Sequence, residues 1–339
     1  VIIRMKVQRY KCKNEECDYD QQENIPFATG SRSYTHRFAK YVVELLRGMT
    51  LQDVANHLNV SWDTVKEIHS IYLERHYSPP SLKGVVNIGI DEFAVRKGHI
   101  YKTIVVDLDT GRILYVGDGK GVDALDKFWK RVKLYKVKIE HVATDLSVAF
   151  IASVLENCPG AVHVFDHFHV VKLMNDHLDD IRRKVYAMEK DVNKRKVLKG
   201  TRYLLLGNGE DIFDQQHKTR LDNALAMNEP LSKAYYLKEQ LREIWSQISK
   251  EEAEAVLDDW VKQARESKIP QLMRMAATLL AHRRGILAWY DSHISTGKVE
   301  GINNKIKVMK RNAYGFRDDR YFTLRLYALH DCRITRNVG

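Results

Sequence analysis

The chain has 339 residues, with 55 Lys and Arg against 44 Asp and Glu and a formal net charge of +11, which excludes a mini-protein and favours a polyanionic partner, nucleic acid first. At 44% apolar and 29% charged residues the composition is that of an ordinary globular protein, too apolar for disorder and without the run of about 20 apolar residues that would span a membrane. The expectation is a cytoplasmic protein of two or three folding units, in which the four cysteines Cys12, Cys17, Cys158 and Cys332 form no disulfide framework.

The alternation Val1, Ile3, Met5, Val7 reads as a strand entered midway, so the chain is expected to lack its natural N-terminus. Residues 1–33 are polar and cysteine-bearing. From Tyr34 to Tyr77 the pattern is helical, with Phe38, Val42, Leu45 and Leu46 on one face. Within it, Thr50 to Val65 fits a helix-turn-helix: small Ala55 permits close crossing, Asn59-Val60 makes the turn, and Ser61 caps a second helix continued by Val65 and Ile68. Trp62, Asp63, Lys66 and Glu67 would then face outward, toward base edges. A plain helical hairpin buried in a core is the bland alternative.

Between Gly84 and Phe165 the apolar residues come in short β-rich runs, Val85–Ile90, Ile100–Val106, Ile113–Val116, Val142–Ala143 and Ala161–Phe165. Asp107-Leu108-Asp109-Thr110-Gly111 is a turn that should pair the second and third runs as a hairpin. Helices over Val122–Val132 and Ser147–Glu156 complete the order β-β-β-α-β-α-β, the α/β arrangement of a ribonuclease H-like core. Beyond Phe165 strand signals vanish for more than a hundred residues and Val171, Met174, Leu178, Ile181 and Val185 step helically, as in an all-α insertion. A final helix from Gly297 turns Ile302, Ile306 and Met309 inward, and Tyr321 to Leu329 reads as another amphipathic helix.

Three carboxylates occupy telling places. Asp91 lies on the first, central strand, Asp145 ends the fourth, and Glu300 lies near the start of the helix after the insertion. In a ribonuclease H-like topology these places converge, and three carboxylates in one cleft suit two divalent metals for phosphoryl transfer. Singly, each has a bland role: Asp91 paired with Lys97, Asp145 capping the helix at Ser147, Glu300 solvated. Glu92 competes with Asp91, but strand alternation points it to the other face.

The stretches Gly89-Ile90-Asp91-Glu92-Phe93-Ala94 and Ala143-Thr144-Asp145-Leu146-Ser147 resemble bacterial insertion-sequence transposases, of the ISL-three family of DDE transposases. Most specific is Gly297-Lys298-Val299-Glu300-Gly301-Ile302-Asn303-Asn304-Lys305-Ile306-Lys307, running on to Tyr314-Gly315-Phe316-Arg317. The resemblance implies an enzyme that binds the terminal inverted repeats of its element and cuts and joins DNA with two Mg²⁺ ions, for which Mn²⁺ can substitute. Asp91 would bridge both metals, Asp145 would hold one and Glu300 the other. A homodimer or higher oligomer on DNA, associated with the nucleoid, is implied in the same way. Asp166-His167-Phe168-His169 resembles the Asp/Cys-x-x-His element of transposases with helical insertions; Asp166 and His169 are read as structural, because a zinc site made of them alone lacks ligands.

The chain departs from the family at two points. Relatives carry an N-terminal zinc module with two cysteine pairs, of which only Cys12 and Cys17 stand here, as a partial zinc site whose other pair is lost or whose module is degenerate. Thr296 stands where relatives tend to have Asn, a change expected to leave the metal site unaffected. The resulting domains are a zinc-module remnant (1–33), the helix-turn-helix (34–80), the core's first part (81–175), the insertion (176–290) and the core's final helices (291–339). From Lys298 to Arg336 ten basic residues face four acidic ones, so more than half the net charge surrounds Glu300. Asn304, Lys307, Lys310 and Arg311 are the candidate DNA contacts there. The rival readings are a DNA-binding regulator with a decayed core, against which intact Asp91, Asp145 and Glu300 argue, and a ribonuclease H-like resolvase, against which the helix-turn-helix argues.

Overall fold

The computed structural model describes residues 2–30, 32–96, 98 and 100–331. Lys97, the suggested partner of Asp91, and Cys332, Arg333 and Arg336 lie outside the described residues. The chain divides into two compact units, one made of Val1–Pro79 with Val308–Gly339 and the other of Pro80–Lys307.

In the first unit the expected strand is not found over the described residues 2–7. Ile2, Ile3 and Met5 are exposed and outside any strand, and the pairing that follows them joins β1 (Arg9–Lys11) to β2 (Asp20–Gln22). Three helices follow, α1 (His36–Leu45), α2 (Leu51–Leu58) and α3 (Trp62–Tyr77). Their ends are set by local chemistry: Thr35 caps α1, Thr50 and Asp53 form a reciprocal capping box on α2, Asn59 turns the chain at φ 52°, and Ser61 caps α3. Val42, Leu46, Val54, Ala55, Val65 and Ile68 form the core between them, as the helix-turn-helix pattern requires.

The second unit begins with a five-stranded mixed sheet of β3 (Asn87–Arg96), β4 (Ile100–Asp107), β5 (Ile113–Asp118), β6 (His141–Thr144) and β7 (Val162–Phe165). Its order is β5-β4-β3-β6-β7, with β3, β4 and β5 antiparallel in succession and β6 and β7 parallel to β3. The expected hairpin and element order are present, and β3 is central and longer than its apolar run. Helices α4 (Asp126–Leu134) and α5 (Val148–Asn157) cover one face, where Phe128, Trp129, Phe150 and Val154 pack on Ile88, Ile90 and Val142.

The all-helical stretch comprises α6 (His167–Met188), α7 (Val192–Leu198), α8 (Arg202–Leu206), α9 (Gln215–Ala226), α10 (Glu229–Arg242), α11 (Lys250–Glu266), α12 (Pro270–Ala281) and α13 (Arg283–Leu287). Pro230 and Pro270 sit in the first turns of α10 and α12, where a missing N–H costs nothing. The buried stripe of α6 is Val170, Met174, Leu178 and Ile181, so the inward face starts at Val170 rather than Val171. Buried Lys238 is satisfied by the Leu205 and Gly207 carbonyls, the Glu239 carboxylate and the Tyr235 ring. The last helices are α14 (Gly297–Asn312) and α15 (Asp319–Tyr327). Ile302, Ile306 and Met309 are buried as expected, and Val299 joins them.

Candidate active site

Alternation along β3 divides its side chains between two environments. Ile88 and Ile90 face α4 and α5, whereas Gly89 and Asp91 face α14. Three contacts dock that helix. The Lys298 ammonium donates to the carbonyls of Leu108 and Asp109 in the β4–β5 turn. Val299 lies over Gly89, where a β-carbon would come within 2.6 Å of its Cγ2, so only glycine permits the approach. Asn303 Nδ2 donates to Asp91 Oδ2 at 2.7 Å, while Asn303 Oδ1 is buried without a partner among the described residues.

The Asp91 carboxyl is pushed up to about 7, chiefly by burial. The Glu92 and Asp145 charges push the same way, against the Glu92 N–H and the Asn303 amide. Glu92 is likewise raised, first by burial and then by the Asp145 charge, with Lys120 and Lys172 opposing. Glu92, expected on the opposite face by alternation, lies within the field of the other two acids. Asp145 Oδ1 accepts from Ser147 N at 2.9 Å, a local turn two residues long rather than the expected cap of α5, which has no side-chain cap bond.

Glu300 is exposed in the first turn of α14, one turn before Asn303. Among the described residues no three His, Cys, Asp or Glu side chains form a group able to hold a metal ion. The structure thus brings Asp91, Glu92 and Asp145 into mutual electrostatic range and docks the Glu300-bearing helix on Asp91 through Asn303. It does not bring Glu300 into a three-carboxylate cluster.

Asp166 is buried at the N-cap of α6. Its Oδ1 accepts from Phe168 N at 2.9 Å, and its Oδ2 accepts from Thr296 N at 3.1 Å and from the Thr296 hydroxyl. Thr296, immediately before α14, is thus its partner across the chain, His167 Nδ1 lies 3.5 Å from its Oδ1, and the His169 ring lies edge-on to Phe168 at 5.6 Å. Asn304, Lys307 and Arg311 are exposed, Asn304 Oδ1 accepting from Lys307 at 3.3 Å. Lys310 is partly desolvated, which lowers its pKa. Arg320 is ion-paired with Glu74 at 2.6 Å.

On α3, Trp62 and Asp63 are exposed. Lys66 differs from expectation: its ammonium pairs with Asp318 at 2.7 Å and lies 5.2 Å from the Trp62 ring and 5.7 Å from the Tyr321 ring. Around it α3 packs on α15 through Leu73, Tyr321 and Leu324, and His69 Nδ1 is 2.7 Å from the Tyr321 hydroxyl. Cys12 and Cys17 are free thiols across the tip of the β1–β2 hairpin. The Asn14 backbone N–H and the Cys17 side chain lower the pKa of Cys12.

Residues 88–326 match the DDE transposase domain of the ISL3 transposases, and residues 23–68 match the helix-turn-helix domain of transposase family ISL3. The chain belongs to the ISL3 transposases. It is 33% identical over 331 residues to the transposase for insertion sequence element IS1001 of Bordetella parapertussis, covering 97% of this chain and 81% of that one. It is 29% identical over 317 residues to the transposase for insertion sequence element IS1557 of Mycobacterium tuberculosis, covering 86% and 71%. Among solved structures, the Drosophila P element transposase strand transfer complex aligns over 90% of this chain and 93% of that one, with 10% identity and a TM-score of 0.45; so distant a likeness carries no argument. The transposase thus joins a helix-turn-helix DNA-binding domain to a DDE domain. No helix among its described residues is long and apolar enough to cross a membrane.

Proposed function

We propose that this transposase binds the terminal inverted repeats of its own insertion sequence through α2 and α3, and cleaves and joins DNA strands at a ribonuclease H-like site built from Asp91, Asp145 and Glu300. The observation that supports the site best is the docking of α14 on β3 by the bond to Asp91 from Asn303, which lies one helical turn after Glu300. The donor chemistry fits a divalent cation. Asp91 and Glu92 are desolvated carboxylates whose ionised forms are disfavoured beside Asp145, the imbalance a cation relieves.

Asp91 and Asp145 would hold Mg²⁺ or Mn²⁺ with Glu300, and the bound metal supplies activation of a water or 3′-hydroxyl and stabilisation of the departing oxygen. The chain's own part is to position these acids: Asn303 orients Asp91, the Ser147 N–H orients Asp145, and Lys298 and Val299 fix the helix that carries Glu300. Lys307, Lys310 and Arg311, further along that helix, and Asn304 are assigned to the DNA backbone. Trp62, Asp63 and Lys66 are assigned to base recognition, the last sharing its charge with Asp318. Cys12 and Cys17 supply two of the four ligands that a structural zinc requires. The domain division 1–33, 34–80, 81–175, 176–290 and 291–339 belongs to this reading, as do a homodimer or higher oligomer on DNA and a place in the bacterial cytoplasm at the nucleoid.

The test is cleavage of a duplex carrying the element's ends. Asp145→Asn and Glu300→Gln should each abolish Mg²⁺-dependent cutting while binding to those ends survives. Near wild-type cutting by either variant overturns the site.

A further inference from the structure

We infer that the groove between α7 and α9, within the helical insertion, is a second DNA-backbone contact site of this transposase, an inference that rests on DNA being its substrate. The open groove, about 520 Å³, is lined by Lys196, Gln215, Gln216, Thr219, Arg220 and Asn223, with Val197 as its apolar member. No acid lines it. Each of these polar side chains can donate to phosphate oxygens, and such contacts carry no sequence information.

The surrounding charge has the same sense. From Lys190 to Arg202 the chain carries six basic residues and one acid, Asp191, a local excess that the terminal basic stretch around Glu300 does not include. Lys196 and Lys199, three residues apart, are exposed at the end of α7. Arg220 donates to the Lys199 carbonyl, which ties α9 to that end and holds a guanidinium at the groove. Two acids that flank the groove in sequence serve as helix caps, and Asp179 pairs with Arg202 at 3.5 Å. Asp191 accepts from the Asn193 and Lys194 N–H groups at 2.7 and 3.2 Å, and Asp214 from His217 N at 2.9 Å.

Such a lining suits a polyphosphate backbone better than an acidic protein surface. Amides and hydroxyls spaced along a groove match evenly repeated oxygens, and duplex DNA presents one charge per ~1.7 Å of axis. The site would therefore add affinity for any duplex and none of the discrimination supplied by α3.

The experiment uses the full chain and measures binding to random duplex and to the element's ends at several salt concentrations. Lys196→Ala with Lys199→Ala should lower the slope of log K against log salt by about 1 to 2 and weaken both duplexes equally, leaving their affinity ratio unchanged. Lys262→Ala, an exposed lysine of α11, serves as the charge control and should leave the slope near the wild-type value. An unchanged slope in the folded double variant overturns the inference, and so does an equal fall in the Lys262→Ala control. Should the double variant fail to fold, a photo-crosslinking side chain at position 216 keeps the test open: crosslinks to duplex support the groove, and their absence overturns it. Wild-type protein that binds no duplex at all would instead refute the underlying reading, a result distinct from either.

Discussion

Asp91→Asn should make the metal-free protein more stable at pH 8 while destroying its activity. The Asp91 carboxyl sits at about 7 against an ordinary 3.8, so keeping it ionised at pH 8 costs up to about 4 kcal/mol; relaxation around a partly buried group brings the expected gain to about 2–3 kcal/mol. No hydrogen bond need be lost. Asp91 Oδ1 accepts from Glu92 N at 2.8 Å and the new side chain keeps that oxygen, while rotation of the Asn303 amide turns its orphaned oxygen toward the introduced NH₂. The penalty is absent below the unfolded pKa, grows as pH rises from about 4 to 7, and is constant above, because the folded state binds the proton more tightly than the unfolded chain throughout that window. In thermal melts without divalent metal, the variant's Tm should match the wild type near pH 4 and exceed it by roughly 5 to 10 °C at pH 8. Mg²⁺ at pH 8 should then raise the wild type and not the variant, by about 2.7 kcal/mol at a hundredfold excess over its Kd. A Tm difference that is flat across pH, or a variant less stable at pH 8, would refute both the desolvation of Asp91 and its place as a ligand.

Gly89→Ala should cost about 1–3 kcal/mol by overpacking against Val299 and slow cleavage; in a double-mutant cycle Val299→Ala should recover part of the loss, and strict additivity would show that the two do not touch. Asn303→Leu removes a hydrogen bond to an ionisable group, so the apparent pKa of Asp91, read from the pH dependence of Tm, should rise further, whereas Asn303→Asp should weaken metal-free stability at pH 8 through like charge. An unmoved pH profile in both would dismiss Asn303 as the group that orients Asp91. Trp62→Ala with Asp63→Ala should lower the preference for terminal repeats over random duplex in competition binding, leaving the salt slope intact because neither residue neutralises a phosphate; an unchanged ratio would place recognition elsewhere.

How legible each part was in the sequence depends on the range of the interactions that specify it. The helix-turn-helix is set by neighbours in the chain, Thr50 with Asp53, Asn59 alone and Ser61 with Thr64, so residue type and spacing suffice. The five strands and their order follow from β-rich runs, one tight turn and the helices between them. The alternation at Ile3, Met5 and Val7 misled because period two shows only that a segment could pair; burial against a partner makes it a strand, and Ile3 and Met5 have none. Asp91 and Asp145 stand at strand positions and could be named. The contact of Asn303 with Asp91 spans 212 residues, and Lys298 with Leu108 spans 190, and no local pattern announces either. Asn303 nonetheless left one signal: it occupies the turn of helix after Glu300, on the side between buried Val299, Ile302 and Ile306 and exposed Lys307. Thr296 drew notice only as a departure from its relatives, and its bonds to Asp166 span 130 residues.

The insertion between Asp145 and Glu300 poses a physical problem for the proposed site, because the helix that carries Glu300 must return to the sheet after 154 intervening residues. The fold meets it twice over. Asp166, at the point where the chain leaves the sheet, is hydrogen-bonded to Thr296, where the chain comes back, so the insertion is closed at its base and its own motions need not move α14. The helix is then held on the sheet by a cation on two carbonyls, a side chain over a glycine, and an amide on Asp91. Hydrogen bonds to groups that carry charge contribute about 1.5–3 kcal/mol each; at least two of these bonds are of that kind, against a cost of about 1–2 kcal/mol for fixing each residue's backbone. Because Asn303 donates to Asp91, the ionisation of Asp91 and the seating of the helix that carries Glu300 are linked: a pH that favours charged Asp91 also strengthens that bond.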